Sequence, residues 1–246
     1  IADAKAEILE GIVDGGTAVL NRDNRHFAQL ERAARAQQVS HLATFGQDPE
    51  AGVRLLDADY HPHASDAHAV VHGREVRFRI ALPGRHWVIN ALGVLAMVHA
   101  AAADVAQAAD SFATVAPAAG RGERRRIQLA DGTFELIDDS YNANPMSMAA
   151  AFDVLGRAQL SAQGRRIAAL GDMLELGVHS ADLHAGLAAP IRQAAIDQVF
   201  TCGTEMAALD AALPEQLRGG RAADSGTLGE LVAASVHAGD VVLIKG

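Results

Sequence analysis

The chain has 246 residues, half of them hydrophobic, with 21 Lys and Arg against 30 Asp and Glu and a formal net charge of -9. That is material for one large or two medium domains with sizeable cores. The acidity argues against non-specific binding to nucleic acid or anionic membrane, so any phosphate has to be met by local cations. A single cysteine, Cys202, excludes an intrachain disulfide and a cysteine metal cluster, and it suits a reducing, cytoplasmic compartment.

The sequence starts at Ile1 without a methionine, and Ala4, Ile8, Leu9 and Ile12 fall on a helical stripe, so the chain is expected to begin inside a helix. Lys5 lies on that helix between Ala4 and Ala6, small neighbours that leave room around its ammonium. The ordinary reading of such a residue is a solvated helix lysine. Gly15-Gly16 reads as a turn, Thr17 to Leu20 as a short strand, and Asn21-Arg22-Asp23-Asn24 as a polar loop at its carboxyl end. A helix from about Arg25 to Gln37 and a strand from Ser40 to Phe45 follow. Between Gly52 and Leu82 the pattern alternates, which predicts an antiparallel insert with a hairpin turn at Gly73-Arg74. Pro83-Gly84-Arg85-His86 breaks the chain, and an alanine-rich helix is expected from Trp87 onward. The apolar run from Ala91 to Ala109, interrupted by His99 and Asp104, reads as one packed helix and not as a membrane span.

Alanine, proline and glycine collect between Val115 and Gly122, the expected boundary between a domain at 1–116 and another at 117–246. Beyond it, strands at Arg126–Leu129, Phe134–Ile137, Arg166–Leu170, Gln198–Cys202 and Val241–Ile244 alternate with helical stripes at Ser147–Gly156, Asp182–Ala195 and Thr227–His237. The fold class is therefore α/β, with a Rossmann-like second half. The last strand runs straight into Lys245 and Gly246, where a functional loop would normally begin, so the sequence reads as a piece of a longer protein.

The stretch after Ile137 carries the most chemistry: Asp138-Asp139-Ser140-Tyr141-Asn142-Ala143-Asn144-Pro145 ends a buried strand in two carboxylates and a run of carboxamides. In open α/β sheets ligands bind at the carboxyl ends of strands, and Tyr141, Asn142 and Asn144 offer donors and acceptors for sugar hydroxyls or a peptide. The competing account is local, an Asx-turn and helix cap with Pro145 entering the first turn. His86 and Asn90 flank a helix N-terminus where a nucleotide can dock, although His86 or Arg85 can equally cap or solvate that helix. Arg121, between Gly120 and Gly122, has the freedom to meet a phosphate in two-pronged fashion, whereas Arg124, Arg125 and Arg126 beside it read equally well as a solvated basic patch. Gly171-Asp172 again sets a glycine and an acid at a strand end, as a site or as a capped turn. The eleven histidines show no zinc spacing.

Taken in order, Ala4-Lys5-Ala6-Glu7-Ile8, Asn21-Arg22-Asp23-Asn24, Pro83 to His86 with Asn90-Ala91-Leu92, Gly120-Arg121, Asp138 to Pro145, Gly171 to Gly177 and Lys245-Gly246 resemble the Mur ligases over the whole chain. The Tyr-Asn-Ala-Asn-Pro and Gly-Asp-Met-Leu-Glu-Leu-Gly segments are similar to those of the dipeptide-adding type. The resemblance implies the rear of a central ATPase domain followed by most of a Rossmann-like C-terminal domain. It implies ATP-dependent amide-bond formation on a peptidoglycan precursor, in which a phosphorylated tripeptide carboxylate is attacked by the amine of D-alanyl-D-alanine.

ATP and Mg2+ are the implied cofactors. Lys5 would be carbamylated and face the metal, His86 and Asn90 would meet adenine, Arg121 the phosphates and Asp139 the ribose. Tyr141, Asn142 and Asn144 would handle the dipeptide and peptide end. The expected partners are UDP-N-acetylmuramoyl-tripeptide and D-alanyl-D-alanine, with no nucleic acid, no membrane insertion and a monomeric state. Two departures stand out: Trp87 sits where Mur ligases often carry asparagine, and no Gly-x-x-Gly-Lys-Thr/Ser phosphate loop is present, so the chain alone is expected to be inactive. The alternatives are a sister ligase of the diamino-acid or folate-polyglutamate type, or a non-catalytic Rossmann-type binding module. The Asp-Asn-Pro-Arg segment of the diaminopimelate-adding sister is absent.

Overall fold

The computed structural model describes residues 2–246, and the chain divides into two units between Val115 and Ala116. Ile1 lies outside the described residues. In the first unit the opening helix is shorter than its apolar stripe predicts. Helix α1 spans Ala2–Ala6 and tightens into a 3-10 turn over Glu7–Gly11. Of the stripe, Leu9 alone is buried, against Ala18 and Ala34, while Ala4 and Ile8 face solvent. One buried side chain per two turns is too little to hold a longer amphipathic helix on the sheet.

Strand β1 (Thr17–Asn21), helix α2 (Phe27–Ala36), β2 (His41–Gly46), β3 (Val53–Tyr60), β4 (Ser65–Val71) and β5 (Arg74–Ile80) follow. The sheet order is β1-β2-β3-β4-β5, parallel from β1 to β3 and antiparallel from β3 to β5. Strand β4 buries Ser65, Ala67, Ala69 and Val71, the inward half of a period-2 pattern. The β4–β5 turn consists of His72 and Gly73, one residue earlier than expected, because both take positive φ (44° and 86°), the signature of a two-residue hairpin loop, and Arg74 pairs with Val71.

Helix α3 (Arg85–Ala100) lays Val88, Leu92, Leu95 and Ala96 over this sheet. The apolar run up to Ala109 is two helices, not one. Ala102 turns left-handed at φ 54°, and the Asp104 carboxylate caps α4 (Val105–Ser111) by accepting the N–H groups of Ala106 and Gln107 at 2.8 and 3.1 Å. No helix among the described residues is long and apolar enough to cross a membrane.

The second unit runs β6 (Glu123–Leu129), β7 (Gly132–Asp138), α5 (Pro145–Gly156), β8 (Arg166–Leu170), α6 (Ser180–Ala185), α7 (Ala188–Gln193), β9 (Gln198–Cys202), α8 (Ala207–Ala212), β10 (Arg218–Ala222), α9 (Ser225–Ser235) and β11 (Val241–Lys245). The sheet order is β10-β9-β8-β11-β7-β6, all parallel except the β6–β7 hairpin. One face packs Met148, Phe152, Leu155, Ile191 and Leu209 against Ala168, Leu170 and Leu243; the other packs Leu228 and Val236 against Ile167, Phe200 and Val242.

Three local differences from the expected pattern have physical causes. The stripe at Asp182–Ala195 is two short helices, because Pro190 has no N–H for the continuing ladder. Strand β6 begins at Glu123 because Arg124 pairs with Glu135 at 2.5 Å and Arg125 with Asp138 at 3.0 Å across the hairpin. Strand β10, Arg-Gly-Gly-Arg-Ala, has no apolar alternation to announce it; a Cβ on Gly219 would lie 2.6 Å from the Phe200 ring, so the aromatic neighbour supplies the burial there.

Candidate functional site

In the second unit, the carboxyl ends of β7, β11 and β8 lie side by side, which brings together the loops that follow β7 and β8. The Asp139 N–H donates to the Ile244 carbonyl at 2.9 Å, extending the ladder one residue past β7, and the Gly171 N–H donates to the Lys245 carbonyl at 2.8 Å on the other side. The Lys245 side chain is only 2% exposed. Its Nζ donates to Asp139 Oδ2 at 2.6 Å, to the Asn142 carbonyl at 2.9 Å and to the Asp139 carbonyl at 3.2 Å. All three ammonium protons are therefore used, which is what a buried cation requires.

The adjacent acids differ in what remains free. Asp138 is committed on both oxygens: Oδ1 accepts the Ser140 N–H and hydroxyl in an Asx-turn, and Oδ2 pairs with Arg125. Asp139 gives Oδ2 to Lys245, and its Oδ1 has no hydrogen bond among the described residues.

The carboxamides divide in the same way. Asn144 is the N-cap of α5, its Oδ1 accepting the Ser147 N–H at 2.9 Å while the Ser147 hydroxyl accepts the Asn144 N–H at 3.0 Å. The local account therefore holds for its carbonyl, and only its amide protons are left for a ligand. Asn142 is exposed, with Oδ1 on the Ala143 N–H.

Tyr141 is 66% exposed and carries the Arg121 guanidinium over its ring, Cζ lying 3.8 Å from the centroid. Unlike Arg124 and Arg125, Arg121 makes no salt bridge among the described residues. The Gly120-Arg121-Gly122 turn is sewn to the same loop, the Tyr141 N–H donating to the Gly120 carbonyl at 3.0 Å and the Gly122 N–H to the Asp138 carbonyl at 2.8 Å.

After β8, Asp172 accepts the N–H groups of Met206 at 2.8 Å and Glu205 at 3.2 Å. It thus pins the loop that follows β9 and does not cap a helix of its own. His184, fully buried, accepts the Met173 N–H on Nε2 at 3.0 Å, with Nδ1 2.8 Å from the Ser180 carbonyl. That pairing assigns the proton to Nδ1. Neither this role nor that of Lys245 is legible in local sequence, since each depends on a partner elsewhere in the chain.

In the first unit the loops that follow β1 and β2 are tied together. Arg22 pairs with Asp48 at 2.9 Å and with Glu50, Asp23 accepts the Gln47 and Asp48 N–H groups, and Arg85 donates to the Gln47 carboxamide. The Glu50 N–H and then the Arg22 guanidinium hold the Asp48 carboxyl below its ordinary range. His86 is half-buried beside Trp87, their ring centroids 5.4 Å apart, and Asn90 stands exposed one turn further along α3. Lys5 is exposed on α1 and makes no hydrogen bond or ion pair among the described residues. Arg121, Asp139, Tyr141, Asn142 and Asn144 thus gather in the turns at the carboxyl end of β7 in the second unit, while His86 and Asn90 share a helix of the first and Lys5 stands on another. Among the described residues, no three His, Cys, Asp or Glu side chains converge where a metal ion could be held.

Two family models match the chain: one described as Mur ligase middle domain over residues 1–98, and one described as Mur ligase, glutamate ligase domain over residues 120–246. The UDP-N-acetylmuramoyl-tripeptide--D-alanyl-D-alanine ligase of Escherichia coli is 31% identical over 221 residues, covering 86% of this chain and 45% of its own length. The chain spans about half the length of the curated relatives it matches. A crystal structure of MurF from Acinetobacter baumannii superposes with a TM-score of 0.82 at 24% identity, over 99% of this chain and 51% of that one. The MurF ligase of Thermotoga maritima in complex with ADP gives 0.77 at 20% identity, over 99% and 53%.

Proposed function

Because this chain belongs to the Mur ligase family, we propose that it is part of an ATP-driven ligase that joins D-alanyl-D-alanine to UDP-N-acetylmuramoyl-tripeptide in peptidoglycan precursor synthesis. Residues 1–116 are its partial central ATP-binding domain and 117–246 belong to its C-terminal ligase domain, in keeping with a chain that spans about half the length of the relatives it matches. The observation that carries this reading is the turn after β7, where an arginine without a salt bridge, a carboxylate with one free oxygen held by a buried lysine, and two exposed carboxamides come together.

In this reading the tripeptide carboxylate attacks the γ-phosphorus of ATP, ADP leaves, and the acyl phosphate forms. The dipeptide amine then attacks the acyl carbon, and the tetrahedral intermediate expels phosphate. Each step gathers negative charge, so a cation not already neutralised by a carboxylate is needed near the phosphates. Arg121 is such a cation, its guanidinium over the Tyr141 ring at 3.8 Å yet exposed, with its fork of donors available for a two-pronged phosphate contact. Asp139 Oδ1 accepts from a ribose hydroxyl, Asn90 and His86 meet the adenine edge, and the Tyr141 hydroxyl with the Asn142 and Asn144 amides orient the dipeptide.

Magnesium, when bound, would screen the two anions from one another. The described residues do not fit it as they stand: Lys5 is an exposed ammonium and no cluster of ligating groups is present among them. Lys5 enters as the lysine whose carbamylation would turn a cation into an oxygen ligand. The reading carries a cytoplasmic location, a monomeric state, and no nucleic-acid or membrane partner.

Chemical-shift titration of the 15N-labelled protein tests it. ADP binding weakened about tenfold by Asp139→Ala, and D-alanyl-D-alanine binding weakened about as much by Asn142→Ala, are the expected results for loss of one charge-assisted or well-placed polar contact. Unchanged affinities in both variants would overturn the assignment.

A further inference from the structure

We infer that Lys245 is a positioning residue: it aims the free oxygen of Asp139 at a nucleotide ribose hydroxyl, a role that rests on the reading of Asp139 given above. Three observations carry it. First, every donor of the Lys245 ammonium goes to one four-residue turn, to the Asp139 carboxylate and carbonyl at its start and to the Asn142 carbonyl at its end. Rotation of the carboxylate is thereby stopped with Oδ2 occupied and Oδ1 left over.

Second, the strand that carries Lys245 is bonded to both flanking loops, through Ile244 to Asp139 and through Lys245 to Gly171, so the anchor point is itself fixed. Third, burying an ammonium to 2% exposure at the end of a strand is costly, and a methionine of similar length would fill the space without that cost. The neighbouring Asp138, with both oxygens committed, shows what a carboxylate used only for the fold looks like in this loop. Asp139 retains one acceptor, and that acceptor suits the hydroxyl of a diol, an uncharged donor that makes a short charge-assisted bond.

The test compares ADP with 2',3'-dideoxy-ADP by 15N chemical-shift titration of the unaltered protein, Lys245→Met, Asp139→Asn and the double variant. The unaltered protein is expected to prefer ADP by about tenfold, the fold-change of one charge-assisted hydrogen bond. In Lys245→Met that preference should vanish while affinity for the dideoxy nucleotide stays within about twofold, and adding Lys245→Met to Asp139→Asn should change nothing further. Equal weakening of both nucleotides by Lys245→Met would show that the ammonium serves the fold alone. An effect that persists in the Asp139→Asn background would show that it acts elsewhere; either result overturns the inference. If the unaltered protein does not discriminate between the two nucleotides, the ribose reading of Asp139 itself falls, and the role of Lys245 falls with it. Should Lys245→Met lose its dispersed amide spectrum, Lys245→Gln, which keeps one donor in the same place, carries the same comparison.

Discussion

Replacing Asp240 by asparagine should destabilise the second unit by about 3–4 kcal/mol, and the figure follows from which atoms lose partners. The Asp240 side chain is fully buried just ahead of β11. Its Oδ1 accepts the Arg165 N–H at 2.8 Å and Nε at 3.3 Å, and its Oδ2 accepts Arg165 Nη2 at 2.7 Å and the His237 N–H at 2.8 Å. An amide offers one oxygen, so either orientation turns an NH2 toward two donors. Two of the four bonds are lost, at least one of them to the guanidinium.

Hydrogen bonds of this kind contribute about 1–3 kcal/mol each, and breaking a buried ion pair costs about 3–5 kcal/mol. Arg165, which also donates to the Ser235 carbonyl and the Gln198 carboxamide, would be left without its counter-charge. Hydrogen exchange of the β8 and β11 amides across a urea series reads this unit directly, whereas Trp87, the lone tryptophan, reports on the first. A loss below about 1 kcal/mol would show instead that an amide satisfies the same donors.

The same carboxylate sets a pH dependence. Burial raises its pKa, but the bonds from Arg165 and from the His237 and Arg165 N–H groups outweigh that and hold it below the ordinary aspartate range. A depressed folded pKa contributes stability that is present above the unfolded value of about 3.9 and is lost as pH falls through the folded value. Acidification below about pH 4 should therefore cost the unaltered protein more stability in this unit than it costs Asp240→Asn.

Two further outcomes are expected. The Thr201 hydroxyl is fully buried in β9 with no hydrogen-bond partner among the described residues, so Thr201→Val should stabilise the protein by about 1 kcal/mol in urea unfolding; a destabilisation would mean that the hydroxyl is in fact bonded. The chain contains no glycine-rich phosphate loop, so the 246-residue protein mixed with ATP, the nucleotide-sugar tripeptide and the dipeptide should release no phosphate in a coupled assay. Substrate-dependent turnover would overturn that expectation.

The strands with apolar runs or strict alternation were legible because their burial is written in their own residues, as in Val241 to Leu243 or Ala67 to Val71. Strand β10 was not, because its burial belongs to Phe200 and not to Gly219. The breaks before α4 and α7 were present as the capping residue Asp104 and as Pro190 in the first turn of α7, but alanine-rich flanks hid them. At the candidate site, sequence puts Asp138 and Asp139 on equal terms. What separates them is a lysine 106 positions away, and no local pattern carries that distance. Arg124 and Arg125 likewise look like a solvated patch until the hairpin register, which sets Ile137 and Leu136 opposite them, brings Glu135 and Asp138 within reach on the diagonal.

Strand β11 follows every other strand of its sheet in sequence yet lies between β7 and β8 at the middle. As the polypeptide leaves the ribosome, a β6–β7 ribbon and a β8–β9–β10 leaf must therefore wait as separate halves with exposed inner edges until residues 241–245 arrive as the keystone. Such late, long-range closure slows folding and lengthens the time for which open edges can pair with another molecule. What seats the keystone's outer end is its own backbone, the Ile244 and Lys245 carbonyls accepting the Asp139 and Gly171 N–H groups, so both flanking loops stay open in nascent chains until that strand is in place.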